Sequence, residues 1–129
     1  ISPRQAAAEV ARLMEFVGLS AVGDVPARDL TLANQKRLEV ARALATKPDL
    51  LVIDELMAGL NPTEVAQAME LVAAIRQQGT TVLIIEHVMK AIMSICDRIA
   101  VLHHGEKIAE GIPQEIATSR TVIEVYLGE

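Results

Sequence analysis

Two apolar patterns organise this chain. Leu50-Leu51-Val52-Ile53 and Val82-Leu83-Ile84-Ile85 are short unbroken runs, each ended by charged or polar groups: Asp54-Glu55 and Glu86-His87. Runs of this length read as strands covered on both faces, as parallel strands usually are. The second pattern is apolar recurrence at helical spacing. Val10, Leu13, Met14 and Val17 follow a Ser2-Pro3 start and precede Gly18, which predicts a first helix with a capped beginning and a glycine stop. After a loop over 20–29 containing Gly23 and Pro26, a second helix is expected from Leu32 to Thr46, with Thr31 as N-cap and Lys47-Pro48 as terminator. Asn61-Pro62 opens a third helix with the stripe Val65, Ala68, Met69, Val72 and Ile75, stopped by Gly79.

Strand, helix and strand in that order, with a crossover this long, predict a parallel βαβ unit. Beyond it the pattern predicts a helix over 88–95 and a hairpin turning at His104-Gly105 between 99–102 and 107–109. Short helices are expected over 113–117 and 121–127. No repeat or low-complexity segment interrupts the order. The clearest break in composition is the loop before Leu30, which divides 1–29 from 30–129.

Composition narrows the picture. The 129 residues suit one small domain or part of a larger one, single domains usually running to roughly 100–200 residues. Half the chain is apolar, but Phe16 and Tyr126 are its only aromatic residues, so the core must be aliphatic. A net charge of −5 argues against a basic nucleic-acid-binding surface. The single cysteine, Cys96, excludes an internal disulfide and suits a reducing compartment. No apolar stretch approaches the ~18 residues that span a bilayer, and the opening residues carry no signal-peptide pattern, so the chain is expected to be soluble. Ile1-Ser2-Pro3 runs straight into a helix without a methionine, as though cut from a longer chain; trimming or proteolysis explains this equally well.

In an open parallel sheet, ligands bind beyond the carboxyl ends of the strands. Asp54, Glu55, Glu86 and His87 therefore form a candidate site suited to a divalent metal, a water and a phosphate. An Asp-Glu pair after an apolar run is common where a chain returns to solvent, and a histidine after a strand is usually a surface residue. The ordered combination with the flanking capped helices is what favours chemistry. Met69, Met89 and Met93 sit at core spacing on helices, and Cys96 reads as a small buried hydrophobe. His103-His104 with Glu106 and Glu110 lie around a turn, where strand alternation separates neighbours and disfavours a metal site. Arg37 and Arg42 are expected to be solvated or ion-paired.

These residues resemble a known family. Residues 30–44, LTLANQKRLEVARAL, resemble the signature region of ABC ATPases; residues 50–55, LLVIDE, resemble their Walker B strand. Ala58-Gly59-Leu60-Asn61 is similar to the D-loop and Ile85-Glu86-His87 to the H-loop, while Asp97-Arg98-Ile99-Ala100-Val101-Leu102 with His104-Gly105 resembles a late strand and hairpin of the same fold. Residues 58–64 and the ending 122–129 look like the ATP-binding subunits of branched-chain amino-acid importers. The resemblance implies an α/β, P-loop NTPase-like fold: a partial parallel sheet flanked by helices, a C-terminal hairpin and short helices. The end of a helical subdomain and a linker (1–29) would precede the C-terminal part of the ATPase domain (30–129).

It implies roles as well. Asp54 would hold Mg²⁺, Glu55 would act as general base on the attacking water, and His87 would contact the γ-phosphate. Thr31, Ala33, Asn34 and Gln35 at the helix start would face ATP held by a second ATP-binding subunit, with Asn61 at that interface. Further partners would be transmembrane permease subunits, at the inner face of the cell membrane. The sequence departs from the family at Thr31, Ala33, Asn34, Leu56 and Asn61, where serine, glycine, glutamine, proline and aspartate are usual. An alternative is a non-hydrolysing module retaining only dimer and docking surfaces. A signature-bearing DNA-repair ATPase is opposed by the short span from signature to Walker B and the lack of coiled-coil heptads.

The chain contains no G-x-x-x-x-G-K-[ST] loop, the element that cradles the phosphates. Most of the nucleotide's binding energy therefore has no source in these residues. Titration of the 129-residue chain with Mg-ATP is expected to show weak binding or none; micromolar affinity would contradict this.

Overall fold

The computed structural model describes residues 1–127 and divides into two compact units, Ile1–Ile85 and Glu86–Glu129. In the first unit, helix α1 (Pro3–Phe16) begins where Ser2 and Gln5 exchange side-chain and backbone hydrogen bonds, satisfying two otherwise orphaned N–H groups. On its surface Arg12 pairs with Glu9, and the guanidinium's hydrogen bond lowers the Glu9 carboxyl pKa. The helix ends ahead of Gly18, whose φ of +80° suits a residue without Cβ. Leu13 and Val17 are buried as their spacing predicts, whereas Val10 is exposed, so the apolar stripe is shorter than the sequence suggests. Two 3₁₀ turns, Ser20–Val22 and Ala27–Asp29, cross the loop and lead into α2 (Leu32–Leu44). The boundary expected before Leu30 lies inside this unit.

Strand β1 (Leu50–Asp54), helix α3 (Pro62–Gln77) and strand β2 (Thr81–Ile85) form the βαβ unit. The strands pair in parallel, Leu50 opposite Thr81 through Asp54 opposite Ile85. Asn61 and Glu64 form a reciprocal cap at the start of α3, with Pro62 in its first turn. Ala68, Leu71, Val72 and Ile75 are the buried residues of this helix. Leu71 was absent from the expected stripe, and Val65 and Met69 lie at its half-buried margin.

One expectation fails here. The strands are not covered on both faces: Leu51 and Ile53 are buried, but Leu50, Val52, Leu83 and Ile85 are each about half exposed, at 50–54 %. Side chains alternate across a strand, and cover is supplied to one face of this two-stranded sheet.

The second unit contains α4 (Met89–Ile95), an antiparallel hairpin of β3 (Ile99–His103) and β4 (Glu106–Gly111), and then α5 (Pro113–Ala117) and α6 (Arg120–Val122). The expected last helix over 121–127 is instead the short α6 followed by a π turn at Ile123–Leu127. His104 and Gly105 both have positive φ, the conformation of a two-residue turn that matches strand twist. The core joins Ile92, Ile99, Val101, Ile116 and Val122, with Met89, Met93 and Cys96 packed against it. Met89 and Met93 pack against the core as their spacing predicts, while Cys96 is half-buried rather than fully buried. Tyr126 lays its hydroxyl on the Leu102 carbonyl, tying the chain's end to the hairpin.

Ile116 is 1 % exposed at the centre of this aliphatic cluster. Ile116→Ala is expected to lower stability by about 2–5 kcal/mol, because a cavity replaces contacts that no neighbour can supply. Denaturant unfolding of the two proteins, compared at equal slope, measures it.

Candidate functional site

The site is built where β1 ends. Asp54 is the last paired residue of the strand, opposite Ile85, and the ladder runs one bond further: the Glu55 N–H donates to the Ile85 carbonyl at 2.8 Å. At Glu55 the chain turns into left-handed backbone, φ +54°, which a side-chain-bearing residue rarely adopts. A tight turn follows, with the Ala58 N–H on the Glu55 carbonyl and the Leu60 N–H on Met57, passing through Gly59 at φ +78°. Leu56 and Met57 tuck inward, 7 % and 2 % exposed, while Asp54 and Glu55 stay at the surface. Leu56 is thus a buried anchor for the turn.

Helix α2 grips this turn. The Lys36 ammonium donates to the Glu55 carbonyl at 3.2 Å and to the Ala58 carbonyl. One helical turn earlier, Leu32 Cδ2 occupies the space beside Gly59: a Cβ built there would lie 2.8 Å from it. At the start of α2, the Thr31 hydroxyl accepts from the Asn34 N–H at 3.2 Å, and its own hydrogen can still be donated elsewhere. Gln35 turns back, its amide donating to the Leu30 carbonyl at 3.3 Å. Ala33, Asn34 and Gln35 are half-buried, while Thr31 is exposed. Asn61 is committed to capping α3, its side chain accepting from the Glu64 N–H at 2.8 Å.

One basic residue of α2 departs from expectation. Arg37 is half-buried and forms no ion pair among the described residues: its guanidinium donates to the Val17 carbonyl at 2.8 Å, satisfying the C-terminus of α1, and reaches Gln67 on α3 at 3.5 Å. Arg42 does pair, with Glu39 at 3.0 Å in the open. Lys36 went unnoticed in the sequence, although its i+4 spacing from Leu32 places both on one helix face. A groove of about 350 Å³ runs along β1, lined by Lys36, Glu39 and Val40 of α2 and by Val52, Asp54 and Glu55.

Glu86 and His87, the two residues after β2, belong to the second unit. There the Glu86 side chain is fully buried and His87 is 67 % exposed. Glu86 Oε1 accepts from the His87 N–H at 3.1 Å and lies 3.5 Å from its Nδ1. At the hairpin tip the His103 and His104 rings sit 4.0 Å apart, closer than strand alternation suggests, because His104 has entered the left-handed turn. Among the described residues, no group of three or more His, Cys, Asp or Glu side chains converges to hold a metal ion.

Comparison with known proteins fits this geometry. Residues 106–129 match a family model described as branched-chain amino acid ATP-binding cassette transporter. The chain is 44 % identical over 117 residues to LivG, the high-affinity branched-chain amino acid transport ATP-binding protein of Escherichia coli K12; the match covers 90 % of the chain and 46 % of that protein. It is 42 % identical over 129 residues to the protein of the same description, BraF, from Pseudomonas aeruginosa, covering 99 % and 51 %. Among solved structures it resembles the ADP conformation of MJ1267, an ATP-binding cassette of an ABC transporter, at TM-score 0.88 and 30 % identity, over all of this chain and 52 % of that one. The chain therefore spans about half the length of the relatives it matches. Gly128 and Glu129, part of the resemblance at the C-terminus, lie outside the described residues.

Gly59→Ala is expected to destabilise the fold by about 1–2 kcal/mol through its left-handed backbone, with a further cost from Leu32. Denaturant unfolding of Gly59→Ala, Leu32→Ala and the double variant separates the two contributions: the Leu32 part should vanish in the double variant.

Proposed function

We propose that the chain is the C-terminal part of an ABC-type ATP-binding cassette and that it supplies the hydrolysis residues of a subunit that drives branched-chain amino-acid import. The observation that carries this reading is the end of β1. In-register pairing with β2 presents Asp54 and Glu55 at the carboxyl edge of a parallel sheet, where α/β folds bind ligands. The solute class rests on the transport relatives, 42–44 % identical, and on the matched family model. A lipopolysaccharide-export ATP-binding protein from Acidithiobacillus ferridurans is less similar, at 34 %.

In this reading Glu55 orients and polarises the attacking water from its position at the head of the turn. Its carboxylate needs a fixed backbone to do so, since general-base efficiency depends on reach as well as basicity. His87, exposed in the second unit, contacts the γ-phosphate. Thr31, Ala33, Asn34 and Gln35 address the nucleotide of a second ATP-binding subunit through the α2 N-terminus, and Asn61 lies at that interface. Ala33 preserves an N–H but adds a Cβ where phosphate must come close, so this contact is looser than with glycine. Asp54 offers the oxygen ligand that Mg²⁺ prefers, and a single protein carboxylate beside substrate phosphates is a common set for that ion. Mg²⁺ would supply charge neutralisation on the phosphates.

Residues 1–29 are read as the end of a helical subdomain with its linker, and 30–129 as the C-terminal part of the ATPase domain. The exposed face of Leu50, Val52, Leu83 and Ile85 is then the surface that the remaining half of the cassette covers. No helix among the described residues is long and apolar enough to cross a membrane. By its likeness to transport ATP-binding proteins, the subunit would act at the inner face of the cell membrane with permease subunits as partners.

In the complete subunit, Glu55→Gln is expected to reduce ATP turnover at least about a hundredfold while ATP binding persists. His87→Ala should also cut turnover severely. Steady-state hydrolysis with parallel nucleotide binding measures both, and unchanged turnover in Glu55→Gln would remove that residue from its role.

A further inference from the structure

The strained backbone at Glu55 needs something to hold it. A side-chain-bearing residue in left-handed conformation costs roughly 1–2 kcal/mol and persists only where its surroundings over-determine it. Its N–H is tied to β2 through Ile85, which fixes one end of the peptide. Its carbonyl receives a weak turn bond from the Ala58 N–H, 3.3 Å, and the charged donor of Lys36 at 3.2 Å. That same ammonium bonds the Ala58 carbonyl at the far side of the turn. Charge-assisted hydrogen bonds are about twice as strong as neutral ones, and an ammonium has three donors to divide between two carbonyls. Leu32, on the same face of α2, fills the space beside Gly59 and closes the turn's other side.

We propose that Lys36 is a positioning residue for hydrolysis: by bridging the carbonyls of Glu55 and Ala58 it holds the Glu55 carboxylate at its working position. It touches backbone, not the reacting atoms. The inference rests on the reading of Glu55 as general base and deepens it, by assigning the hold on that base to a side chain of the signature helix. Removing the ammonium leaves the carboxylate in place chemically but frees its backbone to relax. Small misplacements of a catalytic group depress the chemical step far more than substrate binding.

The test uses the complete subunit carrying Lys36→Met, which keeps the aliphatic stem and loses the donor. Its kcat for ATP hydrolysis should fall about tenfold or more while KM for ATP changes less than about threefold. Lys36→Arg, charged but planar, should recover part of the loss. Hydrogen exchange over 54–60 should quicken in Lys36→Met and stay unchanged over α3. In a Glu55→Gln background, Lys36→Met should cause little further loss, since the two act as one unit.

A kcat equal to that of the unsubstituted subunit in Lys36→Met overturns the proposal, as does a loss confined to KM. If Lys36→Met does not fold, Lys36→Gln, which retains a neutral donor, is held to the same criterion. Should turnover prove independent of Glu55, the general-base reading fails instead. The positioning role has then lost its object, and exchange over 54–60 reports only whether Lys36 grips the turn.

Discussion

The arrangement depends on a short stretch of parallel β-pairing and on the hydrogen bond that extends it past its last paired residue. Asp54 stands opposite Ile85, and the Glu55 N–H takes the Ile85 carbonyl. That bond sets where β1 stops and where the turn begins. In a parallel sheet, a one-residue slip would send every side chain to the opposite face, so burial of Leu51 and Ile53 enforces the register. The two acidic groups emerge at the carboxyl edge because apolar burial chose which residues pair before them.

In both units the chain adopts backbone conformations that most residues avoid. Glu55 adopts left-handed backbone at the site and His104 does so at the hairpin tip, each followed by a glycine with positive φ in the same turn. At the hairpin, strand twist accounts for it. At Glu55, no local preference accounts for it, and the hold comes from α2 through Lys36 and Leu32. One helix thereby carries both the Thr31 cap at its start and the grip on the turn a helical turn further on.

The aliphatic composition shapes both units. With Phe16 and Tyr126 its only aromatic residues, the chain assembles its cores from branched side chains, with methionine and cysteine packed against them in the cluster around Ile116. The half-exposed row of Leu50, Val52, Leu83 and Ile85 is the counterpart of that economy. These side chains are as apolar as those in the core, yet the chain supplies cover to one side of the sheet, in keeping with its spanning about half the length of its relatives.

Local chemistry made much of this legible in advance. Ser2-Pro3, Thr31 and Asn61-Pro62 set helix starts because capping is a contact between near neighbours, and His104-Gly105 set the hairpin for the same reason. The order of strand, helix and strand determined the parallel pairing, and with it the emergence of Asp54 and Glu55 at one edge. Which face of β1 is covered, the burial of Leu71, the capping of α1 by Arg37 and the lysine bridge from α2 to Glu55 were decided only by tertiary structure. Each joins residues distant along the chain, and their geometry exists only once packing has brought those segments together.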